Sequence, residues 1–126
     1  MPSTKYALVV DDIEFVRNAI AQILKQEGYQ VIQASNGDEA IECFQAKPKN
    51  FFSLITMDYQ MPFKNGAETI VEIRKRDLLT PIICISASLS SMKKSLQEKE
   101  VSNDNLYFID KDNLTEDLPK VLMLEI

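Results

Sequence analysis

Five short apolar runs divide this chain, and four of them stop at an acid, an acid–lysine pair or a hydroxyl. They are "YALVV" (6–10), "QVIQA" (30–34), "FFSLITM" (51–57), "PIICIS" (81–86) and "LYFI" (106–109), and each predicts a strand. Between them the apolar residues fall at helical spacing. Phe15, Val16, Ala19, Ile20, Ile23 and Leu24 mark a helix from Glu14 to Glu27, closed by Gly28. Residues 36–46 place Ala40, Ile41 and Phe44 on one face, with Pro48 beyond the end. Residues 66–76 carry the stripe Ala67, Ile70, Val71 and Ile73, and residues 88–99 turn Leu89, Met92 and Leu96 inward. Leu118, Val121, Leu122 and Ile126 predict a last helix. Pro119 belongs in the first turn of a helix, so that helix should be short. Strict alternation of strand and helix predicts a doubly wound parallel sheet covered on both faces. Strands with little polar alternation agree with burial on both sides.

At 126 residues the chain fits one domain, spanning 1–126, with no repeat, low-complexity tract or interdomain linker. "QAKPKN" (45–50) is the expected mobile loop. Hydrophobic residues are 45% of the chain, enough for a core, while a net charge of −5 argues against nucleic-acid or membrane adsorption. No apolar run approaches the ~20 residues of a membrane span. The start, "MPSTKYALVVDD", lacks a signal pattern, so a cytoplasmic protein is expected. Cys43 and Cys84 sit in apolar segments and are expected to be buried free thiols. There is no histidine, which removes Ser/His and Cys/His nucleophile pairs and most zinc sites, and excludes the chain as a phosphohistidine donor.

In parallel sheets of this kind, ligands sit outside the carboxyl ends of the strands. Those ends carry Asp11 and Asp12, Asp58, Ser86, and the Asp110-Lys111 pair. Clustered carboxylates repel unless a cation balances them. Lys111 offers one charge, and a hard oxygen donor set without histidine or thiolate points to Mg²⁺ for the rest. A carboxylate beside Mg²⁺ can attack phosphorus and form an aspartyl phosphate. The transferring group has three equatorial oxygens, which Mg²⁺, the Lys111 ammonium and the Ser86 hydroxyl would hold. The chain has three glycines and no Walker-type loop, which argues against nucleotide binding. Each residue also has an ordinary reading. Asp11 or Asp12 caps the next helix, Asp58 is a turn residue, Ser86 or Ser88 is a cap, and Lys111 is solvated. Their convergence at strand ends is what favours a site.

On the motifs "LVVDD" (8–12), "MDYQMPFKNG" (57–66), "ISAS" (85–88) and "FIDK" (108–111), the sequence resembles the receiver domain of two-component response regulators over nearly its whole length. The resemblance implies a flavodoxin-like, five-stranded parallel sheet of order 2-1-3-4-5. It implies that Asp58 is the phosphoacceptor and that Asp12 binds Mg²⁺ directly, with Asp11 helping through water and the Gln60 backbone carbonyl as a further ligand. Ser86 would close on the phosphoryl group, and Lys111 would pair with Asp58 and then with the phosphate. Phe108 matches a switch aromatic, or is a plain core residue. Gln60 and Ser88 match positions that tune dephosphorylation, or are ordinary loop polarity.

The sequence departs from the family at three places. Asp112 stands where proline usually follows the lysine, so a trans Lys111–Asp112 bond is expected, with Lys111 still reaching Asp58. The segment from Ser86 to Lys111 is longer than usual and lacks the customary glycine before the fifth strand. Pro119 falls in the last helix. All three lie on the face that commonly carries output and dimerisation. The implied donor is a histidine kinase or histidine phosphotransfer protein, meeting a surface near Phe15, Arg17 and Asn18. The downstream protein partner is unspecified, and a phosphorylation-linked dimer is one expectation. Lys93-Lys94 offers a basic pair for an acidic partner, or a solvated face. Met1 favours a free-standing or N-terminal receiver, while "VLMLEI" leaves room for a piece of a larger regulator or hybrid kinase. The alternatives are a binding module that keeps the fold without phosphorylation, or an aspartate-nucleophile phosphatase. The latter is disfavoured because Gln60 stands where its second acid should be.

Overall fold

The computed structural model describes residues 4–124. Five strands alternate with five helices: β1 (Lys5–Val10), α1 (Glu14–Gln26), β2 (Tyr29–Ala34), α2 (Gly37–Gln45), β3 (Phe52–Met57), α3 (Gly66–Arg74), β4 (Ile82–Ser86), α4 (Leu89–Glu98), β5 (Leu106–Asp110) and α5 (Leu114–Leu122). The strands form one parallel sheet of order β2-β1-β3-β4-β5. Successive side chains on each strand feed two cores, one per face. Leu8, Val10, Ile55, Met57, Ile82 and Cys84 pack with α3 and α4 residues such as Ile70, Ile73, Met92 and Leu96. Ala7, Val9, Leu54, Ile83, Ile85 and Ile109 pack with Ile20 and Leu24 of α1 and with Leu114 and Leu118 of α5.

The helix ends follow from capping chemistry. Asn65 and Glu68 form a reciprocal capping box at the start of α3. Gly28, at φ 93°, closes α1. α4 ends in a Schellman arrangement, with the Glu100 N–H donating to Gln97 O and the Val101 N–H to Leu96 O. Glu100 holds the left-handed position at φ 58°, where glycine would be relaxed.

Several expectations are corrected. Pro119 lies inside α5, not in its first turn, because a 3-10 turn at Lys111–Asn113 starts the helical path early. Its cost is about 3 kcal/mol. Burying Leu114 and Leu118 stabilises by about 1.5–3 kcal/mol each, which offsets it. Ile126 lies outside the described residues. Phe15 is 81% exposed despite its apolar company. At about 100° per residue it points roughly 140–180° away from Ile20 and Leu24. Cys84 is buried, but Cys43 is only half-buried; both are free. Among the described residues, no helix is long and apolar enough to cross a membrane.

Candidate functional site

Asp11 follows β1, Asp58 follows β3, and these parallel strands are neighbours, so both carboxylates emerge together at the carboxyl end of the sheet. Asp11 makes hydrogen bonds through its N–H, its carbonyl and Oδ1, and Oδ2 has a charge contact only. Its N–H donates to Ala34 O at 3.2 Å, and its carbonyl accepts from Arg17 Nη1 at 2.8 Å. Oδ1 accepts from the Ile13 N–H at 2.9 Å. Oδ2 lies 2.9 Å from Lys111 Nζ. Neither Asp11 nor Asp12 is the helix cap, a position taken by Ile13. The Asp58 N–H donates to Val10 O at 3.0 Å, and its Oδ1 is 3.3 Å from Lys111 Nζ.

One lysine therefore faces two buried acids, and Asp12 stands beside them, exposed. One carboxylate oxygen from each of Asp11, Asp12 and Asp58 falls within a group spanning no more than 4.8 Å. Burial pushes the Asp58 carboxyl up to about 6, and the Asp11 charge adds to this while Lys111 opposes it. Burial alone would lower the Lys111 ammonium, but Asp11 and Asp58 hold it above its usual value. Asp11 Oδ2 is fully buried without an aligned hydrogen bond, and only the Lys111 charge compensates it. Three carboxylates against one ammonium, with an under-used buried oxygen, fit a hard divalent cation such as Mg²⁺.

The local backbone is shaped to present Asp58. A Cβ on Gly66 would overlap the backbone carbonyl oxygen of Asp58, so only glycine lets α3 approach this closely. The Gly66 N–H donates to Tyr59 O at 2.7 Å, closing the loop that follows Asp58 and carries Gln60. Gln60 is exposed on that loop. The Lys111–Asp112 bond is trans, as there is no cis peptide bond among the described residues. The Asp112 N–H, which proline would lack, donates to Asp110 Oδ1 at 2.9 Å.

The structure thus gathers Asp11, Asp12, Asp58 and Lys111. Ser86 is buried at the end of β4, its hydroxyl accepting from the Ser88 N–H at 2.9 Å. Ser88 takes the cap position of α4, but its side chain does not cap. Phe108 is half-buried on β5 against α4, with Lys93 Nζ 4.9 Å from its ring centre. Two contributors were not assigned their parts from sequence. Gly66 was visible in the "MPFKNG" run, where a glycine opening a helix signals close backbone approach. Arg17 had only a weak signal, a lone cation beside an apolar stripe.

The sequence model of the response regulator receiver domain matches residues 7–122. The chemotaxis protein CheY of Thermotoga maritima is 41% identical over 85 residues, covering 66% of this chain and 68% of that protein. A response regulator of Streptococcus pneumoniae is 44% identical over 81 residues, covering 64% of this chain and 35% of that protein. The peroxide stress-activated histidine kinase mak2 of Schizosaccharomyces pombe is 34% identical over 97 residues, 74% of this chain but 4% of the kinase. The chain thus spans well under two thirds of the length of these last two relatives. Among solved structures, a Thermotoga maritima response regulator in complex with Mg²⁺-BeF superposes with a TM-score of 0.77 at 31% identity, covering 96% of this chain and 99% of that one. Vibrio cholerae CheY4 gives 0.80 at 27% identity, covering 96% and 98%. Receiver domains are signalling switches rather than classical enzymes. A match of this extent, on a sheet of this order, means that the chain belongs to the response regulator receiver family of two-component signalling.

Proposed function

We propose that Asp58 accepts a phosphoryl group from a phosphohistidine on a partner histidine kinase or histidine phosphotransfer protein. An Asp58 oxygen attacks phosphorus, the P–N bond to the donor imidazole breaks, and the imidazole keeps that electron pair. Asp11, Asp12, Asp58 and the Gln60 backbone carbonyl would hold Mg²⁺, which when bound offsets charge on the phosphoryl oxygens. The observation that carries this reading is Lys111 Nζ lying 2.9 Å from Asp11 and 3.3 Å from Asp58. There it keeps a buried Asp58 available in the ionised, nucleophilic form and stands ready for a second oxyanion. Ser86 would release the Ser88 N–H to meet the phosphoryl group, and Phe108 would turn with it. Gln60 and Ser88 would tune hydrolysis. The modification shifts a two-state equilibrium and so changes protein contacts. Residues 1–126 act as one receiver, alone or within a longer regulator or hybrid kinase.

Incubation with a small phosphodonor such as acetyl phosphate, followed by intact-mass measurement, tests this. The wild type gains one phosphoryl group in Mg²⁺ and none in EDTA, and Asp58→Asn gains none. Wild type that stays unmodified with Mg²⁺ by acetyl phosphate and phosphoramidate alike would sink the proposal and favour the binding-only module.

A further inference from the structure

Arg17 sits half-buried in the first turns of α1, with its guanidinium turned back under the β1–α1 loop. Nη1 donates to the Asp11 carbonyl at 2.8 Å, and Nε donates to Gln33 Oε1 at 3.1 Å. Gln33 is itself fixed, since its Nε2 donates to Asn18 Oδ1 at 3.1 Å and its backbone belongs to β2, in register with Val9 of β1. The Asp11 N–H is held by the carbonyl of Ala34, the next residue of β2. Both ends of Asp11 are therefore tied to the end of β2, one directly and one through the Arg17 fork. The carbonyl that Arg17 holds belongs to the Asp11–Asp12 peptide. Fixing that peptide sets the direction in which the exposed Asp12 leaves the chain.

We infer that Arg17 is a positioning residue for the carboxylate cluster, orienting Asp12 through the Asp11–Asp12 peptide rather than touching the ion. This rests on the reading that Asp11, Asp12 and Asp58 take Mg²⁺. Its charge and its geometry make opposite predictions. As a cation near an acidic site, Arg17 repels a metal, so removing it should tighten binding. As an outer support of the ligand loop, its removal should weaken binding, by roughly 10–100-fold as is typical of such supports.

Calorimetric Mg²⁺ titration of the whole chain separates the two. Arg17→Met and Arg17→Lys are both expected to weaken Mg²⁺ binding by roughly 10-fold or more. Lysine keeps the charge but cannot make the two-armed contact. Gln33→Met, which changes no charge, should weaken binding in the same direction by a smaller factor. The metal-free Asp12 and Ile13 amide resonances should move in all three variants. Tighter or unchanged binding in Arg17→Met, or unchanged binding in Arg17→Lys, overturns the inference. Should Arg17→Met fail to fold, Arg17→Lys and Gln33→Met still decide it. Wild type that binds no Mg²⁺ overturns the reading of the cluster itself, a result distinct from a variant that binds as the wild type does.

Discussion

Asp58 pays for its place: a carboxylate pushed to about 6 by burial and by Asp11 is destabilising when ionised. Its folded pKa lies above its unfolded value near 3.9. The folded state therefore binds the extra proton between about pH 4 and 6, and stability falls as pH rises through that window. Above it the full penalty persists. In metal-free buffer, Asp58→Asn should be more stable than wild type at pH 7–8, by about 1–3 kcal/mol. The difference should vanish toward pH 4, as followed by urea denaturation across pH. A gap that widens on acidification would reverse the assignment. Lys111 shows how far a local reading reaches. Its identity and strand-end position were legible in "FIDK". That its ammonium lies nearer Asp11 than Asp58 was not, because those acids are remote in sequence and meet it only through the sheet.

At the level of elements, two helix ends carry the tension between local rule and tertiary need. α3 starts on Gly66 because any Cβ there would strike the Asp58 carbonyl. Gly66→Ala should cost more than about 2 kcal/mol in chemical denaturation, since backbone rather than a flexible side chain must yield. It should also shift the Asp58 and Tyr59 amide resonances. α4 breaks the rule the other way, with Glu100 in a left-handed conformation. Glu100→Gly relieves about 1–2 kcal/mol of strain and loses about 0.5–1 kcal/mol to chain entropy. A net gain of about 0.5–1 kcal/mol should appear as a higher thermal midpoint. Element types were readable from apolar spacing, which is a property of neighbours along the chain. The path of α5 through Pro119 was not, since burial of Leu114 and Leu118 overrides a local preference.

For the molecule as a whole, a ligand that binds only the folded state must stabilise it. At a free Mg²⁺ concentration 100 times its Kd, the gain is about 2.7 kcal/mol. Thermal unfolding should therefore shift upward by several degrees on adding Mg²⁺, and Asp12→Asn with Asp58→Asn should abolish the shift. Equal shifts in wild type and double variant would place the ion elsewhere. The sequence by itself determined the alternation of strands and helices, hence a parallel sheet covered on both faces, and the set of acids, hydroxyl and lysine delivered to its strand ends. Those follow from periodicity and residue chemistry, which are local. Only the tertiary structure decided that Phe15 faces solvent, that Phe108 lies under Lys93, and that Arg17 grips the Asp11 peptide from β2. It also decided that Asp58 is buried, which raises its carboxyl to about 6. Burial, fields and hydrogen-bond partners are set by atoms far apart in the chain, and these acquire neighbours only when the sheet closes.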